Sequence, residues 1–194
     1  METWEEIYKN KKFEINTKEP SKIVKKIFKI KPKVERVLDL GCGNGRNAIY
    51  ASKFSAKVDC VDIVNLEARK SNKKITFKKT KVTKFEYGKN KYDIILIIRL
   101  IQYLSSKELR KTLKRSSKAL KPKGLIAISY TKSGGIFKKD LKINKFSHSL
   151  KNLKKIFKEN NLKIIKIHKG NKYTSHVSYK IPVKTYQIIL TKLK

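Results

Sequence analysis

Four residues set two apart, Asp39, Gly41, Gly43 and Gly45, are placed to do the chemistry most legible in this chain. They lie in the run Val-Leu-Asp-Leu-Gly-Cys-Gly-Asn-Gly-Arg-Asn-Ala-Ile-Tyr at residues 37–50. The apolar residues before the glycines read as a buried strand, and Ala48, Ile49 and Ala51 after them as a helix. Glycine lacks a Cβ, so the backbone can turn sharply there and a ligand can lie against bare peptide at the helix N-terminus. That is a nucleotide-binding corner. A dinucleotide site asks for G-x-G-x-x-G, but Arg46 stands where its last glycine belongs, so the dinucleotide reading loses ground. About twenty residues past the turn, a strand read over 56–63 ends in Asp62-Ile63. A carboxylate at that tip is placed to accept from both hydroxyls of a ribose. Asp59 lies farther from the tip and reads as solvated.

The Asp-Leu-Gly-Cys-Gly-Asn-Gly form resembles the first motif of the class I S-adenosylmethionine methyltransferases. The resemblance implies a Rossmann-like α/β fold with a seven-stranded, mostly parallel sheet, one antiparallel strand and helices on both faces. It implies S-adenosylmethionine as cofactor, its amino-acid end admitted by the glycines and its ammonium held by Asp39. The cofactor contacts it suggests are Asp39, Gly41, Cys42, Gly43, Gly45, Arg46 and Asn47 in the first motif, Asp62 and Ile63 after the second strand, and Tyr8. Many family members carry an acid that receives the adenine amino group. Here that place reads Thr80-Lys81-Val82, which leaves adenine to a backbone group or another side chain.

These residues need elements to hold them. Residues 1–33 read as an entry segment and one helix, with Ile23, Val24, Ile27 and Phe28 as its apolar stripe and Pro32 as its stop. Trp4, Tyr8 and Phe13 precede it; Trp4 and Tyr8 either pack on the sheet or, as in the small-molecule enzymes this chain resembles, fold over the cofactor as a lid. A short polar helix is read over 65–71 and a third strand over 75–78. The run Tyr-Asp-Ile-Ile-Leu-Ile-Ile at 92–98 suits a central strand covered on both faces. Arg99 follows it, and a buried charge there would need a partner, either a protein carboxylate or the cofactor or an anionic substrate. The segment 99–104 lines the pocket between cofactor and substrate in the related enzymes.

Ser105-x-x-Glu108 is a capping box, opening a helix with Leu109, Leu113 and Leu120 as its stripe to Pro122. Lys121-Pro122-Lys123-Gly124 and the strand at 125–130 are similar to a turn and fifth strand of the same family. Residues 131–148 read as an active-site loop. A helix from Ser149 buries Leu150, Leu153, Ile156 and Phe157 and stops at Asn160-Asn161. The stretches 162–168 and 185–193 suit a closing antiparallel pair, with 169–184, containing His176 and Pro182, curling over the pocket. The compact length, the Gly-Asn-Gly-Arg-Asn-Ala run and the late glycine-to-histidine spacing look most like the tellurite-resistance type of methyltransferase. That subgroup has an arginine after its histidine, where this chain has Val177. His176 is either a base for a nitrogen or hydroxyl acceptor or an ordinary loop residue. His148 and His168 suit structural roles.

Composition sets the outer bounds. A chain of 194 residues fits one α/β domain with a full core. The net charge of +35 invites nucleic acid as a partner. Yet there are 44 lysines to 6 arginines, and residues 131–194 differ from the rest in holding only two acids, Asp140 and Glu159. Arginine is the residue whose planar fork matches phosphate and guanine. The charge is therefore either compositional or a surface for RNA, the RNA-directed enzyme or RNA-binding module being the alternative to a small-molecule methyltransferase. Cys42 and Cys60 read as reduced core residues. With no export signal or membrane span in view, the cytoplasm is the expected location. No metal cofactor is expected.

Overall fold

The apolar runs become strands because a sheet covered on both faces leaves them no polar side, and the computed structural model shows such a sheet. It describes Trp4, Glu6 and residues 19–64, 72–132, 146–173 and 182–193. In chain order the elements are α1 (Lys22–Ile30), β1 (Val34–Leu40), α2 (Arg46–Ala51), β2 (Ser55–Asp62), β3 (Ile75–Lys79), β4 (Tyr92–Ile98), a 3-10 turn (Ile101–Tyr103), α3 (Ser106–Ala119), β5 (Leu120–Lys132), α4 (Leu150–Glu159), β6 (Leu162–Tyr173) and β7 (Pro182–Lys192). The strand order is β3-β2-β1-β4-β5-β7-β6. β7 runs antiparallel to both its neighbours, and the other pairings are parallel. The chain leaves β1 toward β2 and β3, then returns to β4 on the other side of β1. This reversal opens a crevice at the carboxyl ends of β1 and β4, where open α/β sheets bind ligands.

One face of the sheet, with Leu38, Leu40, Ile95 and Ile97, is covered by Leu109 and Leu113 of α3 and Leu153, Ile156 and Phe157 of α4. The other, with Val37, Val58, Ile94 and Leu96, is covered by Ile23, Val24, Ile27 and Phe28 of α1 and by Ala48 and Ala51 of α2. The capping box forms, Ser105 accepting from the Glu108 N–H while Glu108 receives the Ser105 N–H. Asn161 takes the left-handed conformation after α4, with φ +54°.

Three boundaries differ from those read in the sequence. Leu120 opens β5 rather than ending α3, because its place in the ladder is opposite Tyr92, and the Lys-Pro-Lys-Gly turn is an irregularity inside that strand. A Cβ on Gly124 would sit 2.7 Å from Leu120 Cγ, so the curl admits only glycine there. The closing strands run on through 169–173 and 182–184, where a loop had been expected. Lysines on both sides of this hairpin hid the period-two pattern, and Pro182 falls at the first residue of β7, a place a strand tolerates. Of the loop expected over 131–148, residues 131 and 132 belong to β5 and 133–145 lie outside the described residues, as do 65–71. Among the described residues no helix is long and apolar enough to cross a membrane.

At the amino ends of the strands two carboxylates tie the sheet together. Asp59, expected to be solvated, is buried. It takes a bidentate fork from Arg36, at 2.9 and 3.1 Å, and the Tyr92 hydroxyl at 2.8 Å, so β2, β1 and β4 share one charged knot. Asp93 continues the β1 ladder by accepting the N–H groups of Glu35 and Arg36, with Lys121 at 3.3 Å. Burial pushes both carboxyls upward. For Asp59 the Arg36 fork and the Tyr92 hydroxyl outweigh it, and for Asp93 the Arg36 N–H and Lys121 do, so both titrate below the ordinary range.

The unfolded chain therefore binds these protons at a higher pH than the native one. Their stabilisation is complete above the unfolded carboxyl value of about 4 and is lost as the pH falls through the depressed native values. We expect the melting temperature, followed by circular dichroism from pH 7 to 2, to fall mainly below about pH 4. Asp59→Asn should flatten that fall while costing about 1–3 kcal/mol at neutral pH.

Candidate active site

The bend after β1 is built from conformations that favour glycine. Gly41, Gly43 and Gly45 have φ of +67°, +51° and +78°, and left-handed backbone costs other residues about 1–2 kcal/mol each. A Cβ on Gly41 would also lie 2.9 Å from Leu100 Cδ1, so that side chain would have to shift to admit it. The Gly41 and Cys42 N–H groups donate to Val61 O, at 2.8 and 3.3 Å, stitching the bend to the end of β2. Asp39 is fully buried beneath it, paired in register with Cys60 on one side and Leu96 on the other. Cys42 and Cys60 are both free and buried.

Asp62 is where the structure adds most to the sequence reading. Its Oδ2 accepts the Gly43 N–H at 2.7 Å and its Oδ1 the Val64 N–H at 3.1 Å, so this carboxylate fastens the glycine bend to the tip of β2. A carboxylate offers about four acceptor positions, so two N–H bonds leave room for two ribose hydroxyls. Ile63 beside it is 43% exposed, an apolar side chain available to a ring lying on the crevice wall. Arg46 and Asn47 face the other way in part. The Asn47 side-chain oxygen accepts the Ser21 N–H at 2.9 Å and Arg46 donates to Ser21 Oγ at 3.5 Å, so both hold the start of α1.

Arg99 corrects an expectation. It is exposed, with φ +58°, and its N–H donates to Ser129 O at 2.8 Å. The left-handed residue turns the chain out of β4 before the side chain is enclosed, so no buried partner is required. Its charge is felt by Tyr103, whose hydroxyl burial pushes up while Arg99 pulls it down. Trp4 meets Tyr103 edge to face, ring centres 4.9 Å apart. Trp4 thus reaches the turn beside the glycine bend. Tyr8 and His176 lie outside the described residues. His168 is exposed on β6, and His148 is buried against the 3-10 turn.

At Thr80-Lys81-Val82 the chain is held through its backbone. Thr80 N–H donates to Asp62 O at 2.8 Å, the Tyr87 hydroxyl donates to Val82 O at 3.1 Å, and Arg115 donates to Thr83 O and Phe85 O at 2.9 and 3.0 Å. The sequence reading names neither Arg36 nor Arg115, and it gives Leu100 only as part of the pocket-lining segment 99–104, not as the residue behind Gly41. The arginines did carry a signal: in a chain of lysines, Arg36 and Arg115 stand where one head must satisfy two acceptors.

The residues fit the expected cofactor: a bend of three left-handed glycines, a carboxylate at each of two strand ends, and an exposed isoleucine beside the second. Among the described residues no three His, Cys, Asp or Glu side chains are grouped to hold a metal ion. Residues 13–167 match the family model described as a methyltransferase domain. The chain belongs to that family, and it is an S-adenosylmethionine-dependent methyltransferase with the class I fold. No curated protein sequence matches it.

Solved structures do. TehB from Haemophilus influenzae is 22% identical with a TM-score of 0.73, the match covering 97% of this chain and 67% of that one. The 1,6-didemethyltoxoflavin-N1-methyltransferase of Burkholderia thailandensis, solved with 1,6-didemethyltoxoflavin and S-adenosylhomocysteine, is 15% identical with a TM-score of 0.70, covering 89% and 77%. The N-methyltransferase NodS of Bradyrhizobium japonicum, solved with S-adenosylhomocysteine, is 12% identical with a TM-score of 0.71 over the whole of both chains. At these identities the likeness is one of fold.

Gly41→Ala should lower stability by about 1–2 kcal/mol through its left-handed φ, and further as far as Leu100 fails to give way. Urea unfolding measures this, and a variant as stable as the parent would contradict the geometry of the bend.

Proposed function

We propose that this methyltransferase acts on a small-molecule acceptor, with its donor held between the glycine bend and Asp62. The observation that carries the reading is the Asp62 carboxylate, which accepts the Gly43 N–H on one oxygen and retains acceptor capacity at the mouth of the crevice. Asp39, Gly41, Cys42, Gly43 and Gly45 hold the amino-acid end, Asp62 takes the ribose, and Ile63 packs on the base. Tyr8 belongs to the same group of contacts. Bound there, the sulfonium supplies a methyl group already activated for transfer. The protein's task is then alignment, which is worth on the order of 7–11 kcal/mol when two reactants are held in line.

The acceptor side is supported as small by Trp4 on Tyr103, since this ring of the chain's own takes up room over the turn next to the bend. The toxoflavin-precursor enzyme among the structural neighbours has a small acceptor bound. Exposed Arg99 is available to an anionic acceptor, and a thiolate or chalcogen oxyanion would need no base. A nitrogen or hydroxyl acceptor would use His176. The whole chain acts as one methyltransferase domain, with residues 1–33 as lid and helix and 131–148 and 169–184 contributing to the acceptor side where they are not strand. A cytoplasmic setting goes with two cysteines kept free.

Calorimetric titration with S-adenosylhomocysteine should show saturable binding, weakened more than about tenfold by Asp62→Ala, which removes hydrogen bonds to both hydroxyls. Labelled methyl should pass to small thiols or oxyanions rather than to tRNA. Label in tRNA alone would overturn the acceptor class, and unchanged turnover in His176→Ala would remove the base.

A further inference from the structure

We propose that His148 is a positioning residue: from behind, it fixes the turn on which the donor cradle and Trp4 both rest. The imidazole is 3% exposed, and its Nε2 lies 3.1 Å from Ile101 O and 2.9 Å from Leu104 O. Both neighbours are carbonyls, which only accept, so Nε2 carries the proton and donates to the pair. Two residues earlier, the Phe146 N–H donates to Gln102 O at 2.8 Å. Residues 146–148 therefore engage three carbonyls of one short turn.

That turn has two bonds of its own, Tyr103 N–H to Leu100 O at 2.9 Å and Leu104 N–H to Ile101 O at 3.2 Å, and it buries Ile101 and Leu104 in the core, so His148 adds to an anchorage that apolar packing leaves undirected. The turn is a single 3-10 turn of three residues entered from left-handed Arg99, and such turns have poor internal hydrogen bonds. Its other side bears on the site at two points. Leu100 closes the space behind Gly41, and Tyr103 carries Trp4. A shift of the turn would move the floor of the glycine bend and the seat of Trp4 together. His148 reaches both only through the turn.

For its effect on the donor, the inference rests on the cofactor reading given above; for its effect on Trp4 it does not. The chain has one tryptophan, so tryptophan emission comes from Trp4. The test compares His148→Leu, which keeps apolar bulk and loses the donor, with His148→Gln, whose side-chain N–H reaches a similar point. Emission and acrylamide quenching of the ligand-free protein, the Kd for S-adenosylhomocysteine and the thermal midpoint are measured for each.

The expected result is a folded His148→Leu protein with red-shifted, more readily quenched Trp4 and a Kd raised about tenfold, and a His148→Gln protein restored most of the way on both counts. A role in stability alone would lower the midpoint and leave Trp4 and Kd as in the parent. That outcome, or a glutamine variant no better than leucine, overturns the proposal. Should His148→Leu fail to fold, His148→Asn, whose donor falls short of both carbonyls, is read by the same two outcomes. If the parent binds no S-adenosylhomocysteine the cofactor reading fails, and the Trp4 signal still decides the role of His148.

Discussion

The Gly43 N–H bond to Asp62 joins a backbone conformation that favours glycine to a carboxylate on the neighbouring strand, and the geometry of the crevice depends on it. A bend with three left-handed residues has no ladder of its own; the Gly45 N–H turns back to Cys42 O at 2.9 Å, while those of Gly41, Cys42 and Gly43 are satisfied from outside. Val61 O takes two of them and Asp62 takes the third, while Leu100 fills the space that side chains at the bend would have claimed. The cradle is therefore a property of three strand ends meeting rather than of the glycine motif alone. Because β1 lies between β2 and β4, those ends meet where the sheet order reverses.

The same economy governs the charge. Of the chain's 15 acidic residues, many in the described part are committed to internal partners. Asp59 and Asp93 knot the amino ends of the strands, Glu108 caps α3, Glu35 meets Lys121, Glu19 meets Lys25 and Glu159 meets Arg110. Asp39 and Asp62 stand near the carboxyl ends of β1 and β2, beside the glycine bend. Lysines meanwhile occupy exposed positions of α3 and α4, outside their apolar stripes, as well as exposed positions of β3. An excess of lysine spread in this way follows from helix and strand periodicity with lysine as the default polar residue, and it needs no groove to explain it. The few arginines are used for geometry, Arg36 as a fork on a buried carboxylate and Arg115 as a clamp on two carbonyls.

Much of the architecture was legible because it depends on local rules. Val37, Leu38 and Leu40 before three glycines, the capping box at Ser105 and Glu108, the apolar run at 92–98 and the stop at Asn161 each follow from a backbone or burial preference that a short window contains. What failed did so where neighbours in space decide. Asp59 reads as solvated until Arg36 and Tyr92 from other strands close on it. Arg99 reads as buried until one left-handed residue turns the chain out of the sheet. The closing pair reads from the sequence over 162–168 and 185–193, but its continuation through 169–173 and 182–184 shows only once β6 and β7 pair.

By itself, then, the amino-acid sequence determined the glycine bend, the acid at each strand end and the order of strands and helices, because conformational freedom, capping and hydrophobic period act within a few residues. Tertiary structure alone decided that Asp62 binds the bend, that Leu100 stands behind Gly41, and that His148 holds the turn between them. These are contacts between residues 19, 59 and 47 positions apart in the chain, and no local preference can select a partner at that separation.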